Sequence, residues 1–243
     1  MTTDPASGPG GPPRVAAPSR LVLALDAATA TGTAALLLGE VVRAECEVAM
    51  RGEDEERLMP AVAGMMADAG VGVSDLAAIV CGEGPGSFTS LRIAASIAKG
   101  LSLSAGIPLY AVSSLALIVA GASRTLAPGR YLAALDAMRG DLFVSEVILH
   151  RSESVELVGG AVLMSAAAAA ERARASGVPL VGPGGAIVER PRARGAGRVM
   201  GALPGAAWGA EPVHLSAWEP AYGRLAEAQV KWEATHGRPL SGG

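Results

Sequence analysis

The sequence predicts an α/β fold made of a duplicated βββαβα unit, with two subdomains around a cleft. Three observations carry this. An apolar strand closing on Ala-Leu-Asp-Ala occurs at Ala24-Leu25-Asp26-Ala27 and again at Ala134-Leu135-Asp136-Ala137, each followed by a small or polar turn and a second apolar run. Such self-similarity is the mark of an internal repeat. A short apolar run then leads into Cys81-Gly82-Glu83-Gly84-Pro85-Gly86-Ser87-Phe88-Thr89-Ser90-Leu91-Arg92-Ile93, which reads as strand, glycine loop and helix. Finally, half of the residues are hydrophobic but only 3 % are aromatic, so small aliphatic side chains must do the packing.

Taken in order, residues 1–18 are rich in Gly, Pro, Ala and Ser and are expected to be a disordered tail. Runs at 21–27, 31–38 and 41–50 suggest an antiparallel meander. Glu53-Asp54-Glu55-Glu56 puts negative charge at a helix start, where the dipole favours it. Leu58, Val62, Met65, Met66 and Ala69 follow at helical spacing, with Gly70 as the stop. A strand at 76–81, the glycine loop, a helix at 87–105, a strand at 108–112 and a helix at 113–123 complete the first unit. The second unit adds a helix at 165–176 and a strand at 178–182 that ends in Gly182-Pro183-Gly184-Gly185. Residues 190–210 show little periodicity and read as a loop; 219–235 reads as an amphipathic helix containing Trp232. The expected division is a tail at 1–18, a first subdomain at 19–124, a second at 125–236 and a tail at 237–243.

Charge and cysteine content narrow the function. A net charge of -3 gives no general grip on a nucleic-acid backbone. Cys46 and Cys81 are too few for a disulfide framework and lack metal-site spacing, so cytoplasmic residence is expected. The longest uncharged stretch, 100–123, is broken by Gly106, Pro108 and serines, which argues against a membrane span. His150, His214 and His236 form no His-x-x-x-His pair, which makes a metallopeptidase improbable.

The glycine loop matches neither a Walker A loop, having no Gly-Lys-Ser/Thr, nor a dinucleotide fingerprint. Its flanks Pro85 and Thr89 also exclude a nucleophile elbow at Ser87. Two readings stay open: a structural turn with Ser87 or Thr89 capping the helix, or a secondary anion site at the helix start. Asp26, Thr29, Gly84, Gly86, Ser87 and Asp136 are the residues such a lapsed or secondary site would use. Each acid equally well ends a strand and accepts turn N–H groups. Ala27 and Ala28 leave the first hairpin poorly equipped to hold phosphate, so an active ATP-cleaving centre is not expected. Small residues at Ala94, Ala95, Ser96, Ala98, Gly100, Ser102 and Ser104 let a second helix approach the 87–105 helix closely. With Leu58, Val62, Met65, Met66, Ile93, Ile97 and Leu101 they outline an expected partner interface, with plain internal packing of each helix an equal alternative.

A duplicated βββαβα unit with an acid closing each first strand resembles the actin/sugar-kinase/Hsp70 (ASKHA) superfamily. Within it, Gly84-Pro85-Gly86-Ser87-Phe88-Thr89-Ser90-Leu91-Arg92-Ile93 resembles the Gly-Pro-Gly-Ser-Phe-Thr-Gly-Leu-Arg-Ile/Val signature of the TsaB (YeaZ) family. Leu25-Asp26-Ala27-Ala28-Thr29, Leu58-Met59-Pro60, Ala134-Leu135-Asp136-Ala137 and Pro220-Ala221-Tyr222-Gly223-Arg224 resemble further family motifs. The chain departs from the pattern at Ala27, Asp54, Ser90 and Ala94, where relatives carry Thr, His, Gly and Gly.

The resemblance implies a non-catalytic subunit in tRNA threonylcarbamoyladenosine synthesis. It pairs with catalytic TsaD through first-domain helices and supports docking of the ATPase TsaE. The complex moves a threonylcarbamoyl group to N6 of adenosine 37 in tRNAs reading ANN codons, and this chain meets tRNA only through it. No cofactor is implied for the chain alone, with room for a nucleotide at the partner interface and for a homodimer when isolated. The alternative from the same superfamily is a small-molecule kinase or ATPase.

Overall fold

The structure, a computed structural model, describes residues 21–50, 56–122, 125–199 and 211–223. The first unit starts with the meander β1 (Leu21–Asp26), β2 (Thr31–Leu38) and β3 (Val41–Ala49), followed by helix α1 (Leu58–Asp68) and β4 (Leu76–Gly82). Helix α2 (Phe88–Ala105), β5 (Leu109–Val112) and helix α3 (Ser114–Gly121) complete it. The strands form one sheet in the order β3-β2-β1-β4-β5. β1 runs antiparallel to β2, with Asp26 opposite Thr33, and parallel to β4, with Leu25 opposite Cys81.

The second unit repeats the plan with β6 (Gly129–Asp136), β7 (Asp141–Leu149), β8 (Val155–Ser165), α4 (Ala166–Ser176) and β9 (Leu180–Val181). Its sheet order, β8-β7-β6-β9, matches β3-β2-β1-β4 strand for strand. The duplicated α/β plan expected from the two Ala-Leu-Asp-Ala strands is therefore present. It differs after β9: a 3₁₀ turn (Ala193–Gly195) and the one-turn helix α5 (Ala196–Val199) replace a long helix and lie on the first sheet. The expected loop at 190–210 thus contains short helical turns in its described part, 190–199, while 200–210 lies outside the described residues. Its arginines are spent on ion pairs, Arg190 and Arg192 with Glu47 and Arg194 with Glu45, which is why it carries no apolar period. Thr33 Oγ1 accepts the Ala193 N–H at 3.0 Å in the same contact.

The central strands β1, β2 and β4 of the first sheet are buried on both faces, as their continuous apolar runs require, whereas the edge strand β3 alternates between exposed and half-buried residues. Leu21, Leu23, Leu25, Leu36, Ile79 and Cys81 meet α1 and α2 on one side. Val22, Ala24, Ala35, Leu37 and Val80 meet Leu117 of α3 and Ala193 and Ala196 on the other. Residues 114–120 of α3 are all buried, and Leu115, Ile118 and Val119 reach Ala133, Leu135 and Phe143 of the second sheet. One helix thus joins both cores. Among the described residues no helix is long and apolar enough to cross a membrane. The expected helix over 219–235 lies mostly outside the described residues, and 219–223 is not helical. The expected tails, Asp54 and Trp232 also lie outside them.

Candidate interaction site at the glycine loop and helices α1 and α2

Asp26 ends β1 with no exposed surface. Its Oδ1 accepts the Ala28 N–H at 3.0 Å, and its Oδ2 accepts the Ser114 hydroxyl at 2.5 Å. Ser114 Oγ in turn accepts the Gly84 N–H at 3.0 Å, and the Ser114 N–H donates to the Gly84 carbonyl at 2.9 Å. A single acid thereby ties together the end of β1, the glycine loop and the start of α3. Burial pushes its pKa from 3.8 up to about 6 against the pull of the Ser114 and Ala28 hydrogen bonds. The neighbouring Cys81 thiol is pushed up as well, by burial first and by the Asp26 charge second. It is an inert core thiol.

The loop's glycines are required by what they touch. A Cβ on Gly82 would fall 1.9 Å from Asp26 Oδ2, and one on Gly86 would fall 2.2 Å from the Ala28 carbonyl oxygen. Three of the loop amides are committed inside the chain: Glu83 N–H to Val112, Gly84 N–H to Ser114 Oγ, and Ser87 N–H to the Ala28 carbonyl at 2.8 Å. Ser87 stands at the N-cap of α2, but its side chain makes no capping bond; its hydroxyl meets Ser90 Oγ at 3.0 Å. Ser90 and Ala94, where the family pattern has glycine, are buried.

Of the other residues of the expected anion site, Thr29 makes a local turn with Thr31. Asp136 is exposed, and its Oδ1 accepts the Met138 N–H at 2.7 Å. Both acids thus bond the second residue after them, a repeat of detail as well as of plan. Asp26 is a core acid as placed, closed to solvent and already carrying two donors.

The expected interface residues divide into two groups. Leu58, Val62, Met65 and Met66 are buried in the chain's own core against the first sheet. That corrects their reading as partner-facing side chains: the apolar stripe of a surface helix turns toward its own sheet. Ile93, Ile97 and Leu101 are only half-buried along α2. Glu56 Oε1 caps α1 by accepting the Leu58 and Met59 N–H groups, at 2.5 Å and 3.1 Å, as the acidic start anticipates.

The outward faces carry features that the sequence reading passed over or named only in part. Gly64 and Gly100 stand inside α1 and α2, both exposed, and among the described residues nothing beyond the helix's own backbone lies within 4 Å of the place a Cβ would take. Beside them the surface is Ala63 and Ala67 on α1 and Ser96 on α2, with Leu103 76 % exposed farther along. A groove of about 440 Å³ opens here, with Glu56 at its α1 side and Phe88, Arg92, Ile93 and Ile97 from α2. Segment 211–223 flanks it. Val213 N–H donates to the Leu109 carbonyl and Ala221 N–H to that of Glu83, while the Tyr222 ring lies 4.4 Å from the Phe88 ring.

A duplicated α/β unit with this repeated strand order, closing acid and glycine loop defines the class: the chain has the actin/sugar-kinase/Hsp70-type fold. The family model for TsaD: tRNA N6-adenosine threonylcarbamoyltransferase matches residues 48–193, more than half of the sequence. The chain belongs to that family, on its TsaB (YeaZ) branch.

It is 38 % identical over 125 residues to the tRNA threonylcarbamoyladenosine biosynthesis protein TsaB of Escherichia coli (strain K12), covering 51 % of this chain and 54 % of that protein. The Bacillus subtilis (strain 168) protein of the same name is 36 % identical over 127 residues, 50 % of this chain and 52 % of its own. The chain spans about half the length of the curated relatives it matches. A Pseudomonas aeruginosa crystal structure described as similar to peptidase YEAZ superposes with a TM-score of 0.65 at 28 % identity, over 84 % of this chain and 99 % of that one.

Proposed function

We propose that this chain is a non-catalytic scaffold subunit in tRNA threonylcarbamoyladenosine synthesis, pairing with a catalytic TsaD-type threonylcarbamoyltransferase through the outward faces of α1 and α2. One observation carries the reading: Gly64 and Gly100. A glycine inside an exposed helix costs about 1 kcal/mol relative to alanine. Among the described residues, nothing outside its own helix backbone lies near the Cβ position of either glycine, so the packing described does not call for them. A partner helix approaching backbone to backbone does. The names of the relatives supply the pathway, and the committed loop amides and closed Asp26 support the absence of chemistry in this subunit.

In this reading the complex transfers threonylcarbamoyl to N6 of adenosine 37 in tRNAs reading ANN codons. A TsaE-type ATPase docks on the pair, tRNA is met through the complex, and any nucleotide belongs to the partner interface. The chain works in the cytoplasm and folds as subdomains at 19–124 and 125–236. Co-purification with the cognate TsaD-type protein, followed by reconstitution and measurement of modified adenosine in tRNA, tests this. Separate elution together with modification that does not need this chain would sink it. ATP turnover by the purified chain alone, abolished by Asp26→Asn, would favour the kinase alternative instead.

A further inference from the structure

The groove beside α2 has an unusual cation in its wall. The Arg92 guanidinium carbon lies 4.3 Å from the Phe88 ring centroid and 5.6 Å from that of Tyr222. Its Nε donates to Tyr222 Oη at 3.2 Å, and Tyr222 Oη donates to Glu219 Oε2 at 3.0 Å. Glu219 is itself held by Lys99 at 3.7 Å, so the nearby acid already has a cation of its own. Among the described residues no acceptor takes the two Nη donors of Arg92. A guanidinium stacked on aromatic faces keeps its in-plane edge free for a planar, bidentate acceptor. Its rotamer freedom is already spent, which lowers the entropic cost of binding.

We infer that Arg92 is a preorganised anchor for a carboxylate on the partner protein, seated in the groove between Glu56 and the Phe88–Tyr222 pair. This rests on the docking reading above and gives that surface its charge. The groove is bipolar, with Glu56 at its α1 side and Arg92 at the other, and Ile93 and Ile97 line it. It therefore fits a helix presenting an Asp or Glu to Arg92, apolar side chains to the isoleucines and a basic group toward Glu56. A nucleic-acid strand fits poorly. A backbone polyanion would meet the Glu56 carboxylate and a chain of net charge -3. Arginine and tyrosine packed together are also the residue types that concentrate binding energy in protein interfaces.

The test is titration of the full-length chain against its cognate TsaD-type partner, at two or more salt concentrations, with variants checked for unchanged thermal unfolding. Arg92→Ala should weaken binding by about tenfold or more and flatten its salt dependence, the range expected for losing a desolvated charged anchor. Arg92→Glu should weaken it further. Arg92→Lys, which keeps charge without the planar fork, and Tyr222→Phe, which loses the positioning bond, should fall between. Where Arg92→Ala does not fold, these two conservative variants decide.

Arg92→Ala binding within twofold of the wild type, or tighter binding by Arg92→Glu, overturns the anchor and leaves the docking reading standing. Failure of the wild-type chain to bind overturns both.

Discussion

Ser114 donates its hydroxyl to Asp26 Oδ2 at 2.5 Å in the middle of the core, where neither residue has exposed surface. The pair joins two ends that sequence keeps far apart: the close of β1 and the start of α3, the helix shared by both sheets. Because Ser114 Oγ also accepts the Gly84 N–H, the glycine loop that launches α2 is positioned by the same carboxylate.

This contact has a pH signature. The Asp26 pKa is raised from 3.8 to about 6 in the folded chain, with burial as the main cause. The folded state therefore keeps a proton that the unfolded state has released, and stability from this group falls as pH rises from about 4 to about 6. At 1.36 kcal/mol per pK unit the change is on the order of 3 kcal/mol. Above pH 6 the contribution is flat. Urea unfolding followed by circular dichroism across pH 4 to 7 should show this decline superposed on the other titrations. Asp26→Asn should remove that component. Asp26→Ala, which leaves the Ala28 and Ser114 donors unpaired in the core, should cost about 2–4 kcal/mol at pH 7. An unchanged pH profile in Asp26→Asn would remove Asp26 as its source.

The glycines give a contrast of sign. Gly82→Ala forces a Cβ onto Asp26 Oδ2, a buried carboxylate oxygen held by Ser114, and Gly86→Ala forces one onto the Ala28 backbone oxygen. Each should destabilise the chain by about 3 kcal/mol or more. Gly64→Ala and Gly100→Ala enter open space within helices and should stabilise the isolated chain by about 0.5–1 kcal/mol each. Melting temperatures of the four variants decide the matter, and a loss at Gly64 or Gly100 comparable to that at Gly86 would contradict the packing.

Much of this was legible in the sequence, and the remainder shows why sequence stops where it does. Strands β1, β2 and β4 read clearly because both their faces are buried, which leaves continuous apolar runs, and β3 read from its alternation. The α2 helix was legible from its glycine start and its end near Gly106, which takes the left-handed conformation at φ +66°. The face of α1 was not. Leu58, Val62, Met65 and Met66 mark where a helix buries itself, and the same stripe serves an internal core or a partner equally well. The telling residue was Gly64, whose meaning depends on empty space that only coordinates reveal. Ser114 could not be singled out because its partner stands 88 positions earlier. Within the expected 190–210 loop, the turns at 193–199 were missed because the segment is held by arginine–glutamate pairs, one threonine and the small Ala193 and Ala196, which leave no periodic trace.

The segment 211–223 meets α2 through Tyr222, through Lys99 with Glu219 and Trp218, and through Val213 and Leu215 on the core. Tyr222 has its ring tilted at 47° against Phe88, bonds Arg92 and sits next to Gly223, whose Cβ position is 2.6 Å from the Phe143 ring. Tyr222→Ala removes this ring contact and both side-chain hydrogen bonds of a half-exposed residue. A cost of about 1–2 kcal/mol is expected. Hydrogen exchange should quicken at the Val213 and Ala221 amides while the amides of β1 and β4 keep their protection. Uniform loosening of the whole first sheet would instead mean that the segment is integral to the core.

The docking reading makes one further demand, which separates surface from core on the same two helices. Gly100→Trp and Ala63→Arg add bulk on exposed positions, and the Cβ site of Gly100 has no neighbour among the described residues outside its own helix backbone. The isolated variants should unfold within about 0.5 kcal/mol of the wild type apart from the gain from replacing glycine, as surface changes usually do. Each should nonetheless weaken capture of the TsaD-type partner by about tenfold or more, because a helix that packs backbone to backbone has no room for the added side chain. Leu58→Ala, at a fully buried position of α1, should behave in the opposite way. It should lose about 2–5 kcal/mol of stability from the cavity it leaves, while the fraction that stays folded binds the partner with unchanged affinity. Isothermal titration paired with urea unfolding measures both quantities on the same preparations. If Leu58→Ala impaired binding at full folding while Gly100→Trp left it intact, the partner would have to engage another face.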